Sequence, residues 1–284
     1  MGAARIMRSA EWINTIAFSL LTILARLRPL HPPRRHRATS LGIAGLGLIV
    51  TGAGVIPRAL PTLPASVFRD WLPYPLLLLF YWQAGQFFTQ AHTNAERCLE
   101  RLDERLVVPV LAWCKLHLAG RLILIYLEAA YLFCYPSLPL GLTALYLMHR
   151  GRAADHYWSV VTVSTYACYA ALPFFQTRPP RTIAKSAVIP PFNPIRRLNL
   201  LILRHASIQV NTFPSAHAAG SLACALVLLQ IAPPVGLAFL ALALSIALGA
   251  ALGRYHYAAD VILGALLALA VFLVGRAVLP AAGF

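Results

Sequence analysis

Charge is scarce in this chain, and negative charge is scarcer still. Only 12% of its 284 residues are charged while 59% are hydrophobic, about half the charge of an ordinary soluble domain, which runs near 25%. That composition excludes a water-soluble globule, and a mean hydropathy of +0.69 suits a chain whose solvent is the lipid bilayer. Cysteine is sparse too: five residues, at 98, 114, 134, 168 and 224, odd in number and far apart, imply neither a disulfide framework nor a metal knuckle. There is no internal repeat, no low-complexity tract and no sign of a soluble second domain. No small-residue cleavage site follows the first apolar stretch. Arg5 and Arg8 precede it and Arg26, Arg28 and a basic cluster follow, the pattern of an uncleaved first helix or signal anchor.

What the chain does have is cations, 24 Lys and Arg against nine acids, for a net charge of +15. In a soluble protein such an excess suggests nucleic acid. Here the cations lie in short stretches between apolar runs, and no aromatic-basic stripe could track a polynucleotide. Nucleic acid is therefore not an expected partner; the bilayer and its anionic headgroups are.

A hydrocarbon layer about 30 Å thick needs about 20 apolar residues per helix. Candidate spans are residues 12–27, 41–55, 72–88, 122–148, 157–175, 213–231, 235–252 and 257–278. The expected fold is all-α, a polytopic membrane helical bundle of six to eight spans. It divides into N-terminal membrane helices with a basic loop (1–71) and a six-helix membrane core (72–284). Residues 31–37 read as a basic loop, 57–64 as a Pro-rich turn, and the mixed charges of 94–105 as a helix lying on the membrane surface. The longest polar segment, 176–211, holds Arg178, Arg181, Lys185, Arg196, Arg197 and Arg204 and no acid.

Ionisable residues at or inside membrane spans are costly, so they mark function first. The last 129 residues contain one carboxylate, Asp260, four residues after His256. On a helix that spacing puts both on one face, where a carboxylate on one imidazole nitrogen raises the basicity of the other. A buried polar pair joining two helices is the plainer alternative. Asn211-Thr-Phe-Pro-Ser-Ala-His217 opens another run. Asn211 or Thr212 can cap a helix whose first turn holds Pro214, leaving free N–H groups and the positive end of the dipole as an anion site. Ser215 adds a hydroxyl, and His217 a group able to exchange a proton; an ordinary cap with an interfacial histidine is the alternative. Phe174-Phe-Gln-Thr-Arg178-Pro-Pro-Arg181 ends the preceding run; Pro179 stops the helix and presents a guanidinium fork suited to phosphate oxygens. Counting crossings brings all three clusters to one membrane face, which makes a phosphoryl-transfer site without metal.

Arg178-Pro179, Pro214-Ser-Ala-His217 and His256-Tyr-Ala-Ala-Asp260, in this order over roughly residues 155–275, resemble the three motifs of the type 2 phosphatidic acid phosphatase superfamily, and most nearly its inositol phosphorylceramide synthase-like branch. The resemblance implies that His256 attacks phosphorus, that Asp260 orients it and that His217 protonates the leaving oxygen. It also implies that Arg178 and Ser215 hold phosphoryl oxygens, and that no cofactor is needed. Two cations of the family pattern are missing, since Ala171 and Ala250 stand in their places; Arg181 and Arg254 are the nearby replacements. The expected function is that of a lipid phosphatase or phosphotransferase acting on a lipid phosphate, diphosphate or phosphodiester.

A rival of another class is a membrane anion or lipid carrier with no chemistry, built on half-helix termini; it expects repeats that the chain lacks. Glu128, a lone acid in the run 122–148, reads as a polar link to another helix or as a cavity-lining group. Loops on the site's side carry 16 of the 24 cations, which by the positive-inside rule places the site in the cytoplasm. The family resemblance implies the outer face instead, and once the cations that would serve phosphate are set aside the remainder is balanced, so the expectation leans to the exterior of a cytoplasmic membrane. Headgroup, acceptor and oligomeric state are not legible.

Overall fold

The computed structural model describes residues 7–183 and 190–278; Lys185 lies outside them. In chain order the helices are α1 (Ser9–Leu27), α2 (Pro32–Val50), α3 (Ile56–Ala59), α4 (Thr62–Trp71), α5 (Pro73–Gly85), α6 (Thr93–Leu106), α7 (Val108–Leu116), α8 (Leu118–Leu132), α9 (Ser137–Leu147), α10 (Ala154–Ala170), α11 (Pro180–Ile183), α12 (Pro194–Ala206), α13 (Ala216–Ile231), α14 (Pro233–Leu252) and α15 (Ala258–Val278). Among the described residues no strand forms, and the β contact is a single bridge between Thr177 and Asn211.

Four stretches are by themselves long and apolar enough to cross a bilayer: Ser9–Leu27, Pro32–Ala59, Pro233–Leu252 and Ala258–Ala277. A fifth follows if α7 and α8, bent by 117° at their junction, count as one. The outward faces of α14 and α15 are rows of exposed Leu and Val, as lipid requires. The chain is an all-α, multi-pass membrane bundle.

Several boundaries differ from those read off the sequence, each for a local reason. The basic residues 31–37 are helical, because Pro32 and Pro33 occupy the first turn of α2, where their fixed φ fits and no N–H is missed. That helix continues through a π-helical turn, Thr51–Val55, into α3, so Pro57 lies within a helix and the break falls at Leu60 and Pro61. The run 122–148 is two helices separated at residues 133–136, where Pro136 ends the break and caps α9. Of 72–88 only the 13 residues of α5 are helical. A helix forms at 94–105 as expected, and is α6.

Helix α13 lies at the centre, against α10, α14 and α15. Its inner surface of Ala216, Ala218, Ala219, Gly220 and Ala223 is fully buried, and side chains this small let backbones approach closely. The main core joins α1, α5, α9, α10, α13 and α15 through Phe18, Phe80, Tyr157, Trp158, Tyr166 and Leu142, with Phe80 stacked on Tyr166 at 4.1 Å. A second cluster, Tyr131, Leu203, Ala218, Ile246, Ala250 and Tyr255, packs where α8, α12 and α14 meet the loop before α15.

The two ends of the bundle carry different chemistry. At one, α1 is pinned to the start of α10 and the end of α4. Asp155 accepts from the free N–H groups of Ser9 and Ala10 at 3.1 and 2.8 Å, so the acid beside the α10 start caps α1. Arg69 holds Glu11 at 2.6 Å, and Asp70 accepts from Arg8 and from the Tyr146 hydroxyl. At the other end lie all three motifs.

There α15 meets α13 at Gly264, where a Cβ would press against the Ser215 carbonyl oxygen. Gly264→Val forces the helices apart and is expected to cost about 1–3 kcal/mol, the range for overpacking, read as a lower melting midpoint in detergent. An unchanged midpoint would contradict this packing.

Candidate active site

Helix α13 begins at Ala216, two residues later than Pro214 suggested, because Ser215 is the cap: its Oγ accepts from the Ala218 N–H at 3.5 Å. Thr212 Oγ1 accepts from the Ala216 N–H at 3.4 Å. His217 is therefore the second residue of the helix, at the positive end of its dipole. Helix α14 stops at Leu252, and residues 253–257 turn the chain back, with Arg254 at a φ of 61°, in the left-handed region uncommon for a side chain other than glycine. The Tyr255 and His256 N–H groups both donate to the Ala250 carbonyl at 2.9 Å, which sets the turn.

These two helix ends bring the imidazoles of His217 and His256 together, with ring centroids 5.4 Å apart at 75°. Asp260 stands one turn into α15, fully buried. Its Oδ2 lies 3.4 Å from His256 Nδ1 and accepts from the Asn211 side chain at 2.7 Å and from the Tyr257 N–H at 3.1 Å. With Nδ1 turned to the Asp260 carboxyl group, Nε2 is the ring nitrogen on the opposite side. Burial first, then the charge of Arg181, push the His256 imidazole down to about 3, so it is neutral at physiological pH.

Both histidines, Arg181, Thr212, Tyr131 and Tyr255 line one small recess. Tyr131 is stacked on Tyr255 at 4.0 Å with planes 4° apart and meets His217 edge-on at 5.5 Å. The Arg181 N–H donates to the Arg254 carbonyl at 2.9 Å, which seats α11 against the turn. Among the described residues Arg181 is the cation lining this recess.

The other residues singled out in the sequence are placed differently. Arg178 turns to α6, donating to the Glu96 carboxylate through Nε at 3.0 Å and Nη2 at 2.7 Å. Arg254 is buried and ion-paired with Asp103, also on α6. Neither guanidinium lines the recess. Arg178 holds the Glu96 carboxyl below its usual range; burial pushes Asp103 up, against the Ala258 N–H and Arg254 that favour its ionised form. Ser215 is fully buried: its Oγ faces its own helix, and its N–H donates to the Asp260 carbonyl at 2.9 Å, a stitch between α13 and α15. The five cysteines are free thiols, and among the described residues no three of His, Cys, Asp or Glu converge as a metal would need.

Besides Tyr131 and Tyr255 of the recess wall, Asn211, Glu96 and Asp103 belong to the site without being among the residues that the sequence marks for it. Asn211 ties two motifs, donating to Asp260 and to the Thr177 hydroxyl at 2.9 Å while its N–H reaches the Thr177 carbonyl at 3.0 Å. Glu96 and Asp103 are seven apart on α6 and so share its inner face, a spacing that could have marked them as partners for arginines.

A larger chamber of about 250 Å³ adjoins the recess, lined by Tyr74, Tyr81, Trp82, Tyr135, Tyr169 and Leu138 among others. His217, Ala216, Leu203, Tyr81, Tyr169 and Ser207 border both spaces, so His217 belongs to the wall of the recess and of the apolar chamber alike.

A family model described as the PAP2 superfamily matches residues 97–274, more than half of the chain and all three motifs. The chain belongs to the PAP2 superfamily. It is thus a membrane protein of phosphatase or phosphotransferase type. Comparison with curated proteins and with solved structures finds no match. Helices α1 and α2 precede the matched region, yet they share its core.

Asn211→Ala removes one of the hydrogen bonds that hold Asp260. The loss of a hydrogen bond to a buried carboxylate, about 1–3 kcal/mol, is expected to lower kcat about tenfold to hundredfold. A kcat within twofold of wild type would mean that Asp260 holds His256 unaided.

Proposed function

We propose that the protein is an integral-membrane lipid phosphotransferase or phosphatase that works through a phosphohistidine on His256. One observation carries this: a recess with two imidazoles and a guanidinium shares His217 and five other wall residues with an apolar, aromatic-lined chamber. The first space, about 20 Å³, offers the donors for a phosphoryl group and must widen to admit one, while the second suits a lipid chain; concave sites that are mostly apolar with a few convergent polar groups are where small molecules bind.

In the proposed reaction His256 Nε2 attacks phosphorus while Asp260 stabilises the charge that grows on the imidazole. The bond from phosphorus to the leaving oxygen breaks as His217 gives that oxygen its proton. Water or an alcohol, deprotonated by His217, then attacks the phosphohistidine, the P–N bond breaks, and both histidines return to their starting states. Arg181 and the α13 N-terminus meet the phosphoryl oxygens, where donors already in place stabilise developing charge most effectively.

The charge inventory favours the finer reading, transfer from a phosphodiester onto a lipid alcohol as in the inositol phosphorylceramide synthase-like branch. Arg178 and Arg254 already have carboxylate partners, and the described recess is left with Arg181. A phosphodiester carries one negative charge where a phosphomonoester dianion carries two, so a described recess with one permanent cation favours the former.

The test is a panel of phosphatidic acid, polyprenyl diphosphate, and ceramide with phosphatidylinositol, each scored for free phosphate and for new lipid with detergent-solubilised protein. Turnover of one substrate is expected, with His256→Ala and His217→Ala each lowering it by at least about 10²-fold, the contribution of a positioned acid or base. Substrate bound with no turnover would support a carrier instead.

The pH profile of kcat/KM is a second check. The nucleophile must be neutral and its pKa lies below the ordinary imidazole value of about 6.5, so activity is expected to rise with pH on a limb below pH 6. The alkaline fall belongs to kcat, where the bound phosphate anion favours a protonated His217, and that limb should be absent from the residual activity of His217→Ala. A rate that climbs monotonically from pH 5 to about 9 would contradict the two-histidine assignment.

A further inference from the structure

Glu128 of α8 is buried inside the bundle and takes no part in the chemistry just described. Its carboxylate collects three donors from two directions. Oε1 accepts from Arg196 Nη1 at 2.6 Å; Oε2 accepts from the Tyr255 hydroxyl at 2.5 Å and from Asn199 Nδ2 at 2.9 Å. Asn199 Nδ2 also reaches the Glu128 carbonyl at 2.8 Å. A buried ion pair gives little net stability, because desolvation offsets the attraction. What it does give is geometry, and here the geometry ends on the turn that delivers His256.

Arg196 Nη1 donates to the Gly253 carbonyl at 3.0 Å, and its guanidinium stands 5.4 Å from the centre of the Tyr255 ring. Tyr255 is gripped by its hydroxyl through Glu128, by its ring face through Tyr131, and by its carbonyl, which accepts from Arg181 Nη1 at 3.5 Å. Residues 253 and 255 flank Arg254, whose backbone is left-handed, a conformation that persists in a residue other than glycine only when its surroundings hold it. The next residue is His256.

We infer that Glu128 is a positioning residue of the reaction: through Arg196 and the Tyr255 hydroxyl it sets the turn that aims His256 and seats Arg181. The inference rests on the histidine chemistry proposed above. It also assigns a role to α12, which carries Arg196 and Asn199 and borders the chamber with Leu203.

The test compares Tyr255→Phe, Glu128→Gln and Glu128→Ala with wild type and His256→Ala, using whichever lipid substrate the wild type turns over. Tyr255→Phe keeps the ring and its stacking and loses only the hydroxyl. It is expected to lower kcat about tenfold, the equivalent of one hydrogen bond, with KM within about twofold and melting in detergent unchanged. Glu128→Gln keeps an acceptor for Tyr255 and Asn199, so its kcat should fall between those of wild type and Glu128→Ala. A purely structural Glu128 would lower the melting midpoint and the amount of folded protein without that ordering. If Tyr255→Phe and Glu128→Gln turn over at the wild-type rate while His256→Ala is dead, the inference is overturned and the proposed function stands. If the wild type shows no His256-dependent turnover, both fall.

Discussion

Asp260 is the carboxylate on which the rest of the site depends. Surrounded by apolar helices, it is fully buried, and a polar group there costs free energy unless it is hydrogen-bonded. The donors it finds come from the ends of several segments: Asn211 before α13, the Tyr257 N–H at the start of α15, and His256 itself. Its own carbonyl accepts from Ser215, the cap of α13. The donors gathered on Oδ2, with Oδ1 buried and without a hydrogen-bond partner among the described residues, bring the Pro-Ser-x-His and His-x-x-x-Asp segments into register, and Asn211 extends the tie to Thr177 and so to the end of α10. The close approach at Gly264 is the steric side of the same junction.

A second constraint is the shortage of acids. Only nine serve 24 cations, and two of the nine, Glu96 and Asp103, are spent on Arg178 and Arg254. Pairing these arginines with α6 ties that helix to the segments that follow α10 and α14 and leaves Arg181 as the described cation of the recess. Positive charge at the site is thus distributed by which arginines have carboxylates within reach, a matter of the inner face of α6 more than of the motif that each arginine belongs to.

Much of this was legible in the sequence, for physical reasons. Long apolar runs with few charges can only be membrane helices, and four of them have the length and character to cross alone. The scarcity of carboxylates drew attention to Asp260 and its histidine four residues away, and crossing parity placed His217 on the same side. Less legible was where helices break. Pro32 and Pro33 extend a helix because they stand in its first turn, while Pro136 follows a break in a run that reads as continuous by hydropathy. Least legible were partners distant in sequence. Nothing local links Glu96 to Arg178, Asp103 to Arg254, or Glu128 to Arg196 and Tyr255. Those pairs are made by folding, and the arginine assignments shift accordingly.

The recess and the chamber share His217, and that junction is where a lipid's phosphate would meet the nucleophile while its chain stays out of water. Vanadate adopts the trigonal bipyramidal geometry of phosphoryl transfer, and enzymes bind such mimics more tightly than substrate. The most direct measurement of the central claim is an experimental structure of the protein with vanadate. The account predicts vanadium bonded to Nε2 of His256, with His217 and Arg181 within hydrogen-bonding distance of its oxygens. Vanadate bound at Arg178 or elsewhere, with the recess empty, would contradict it.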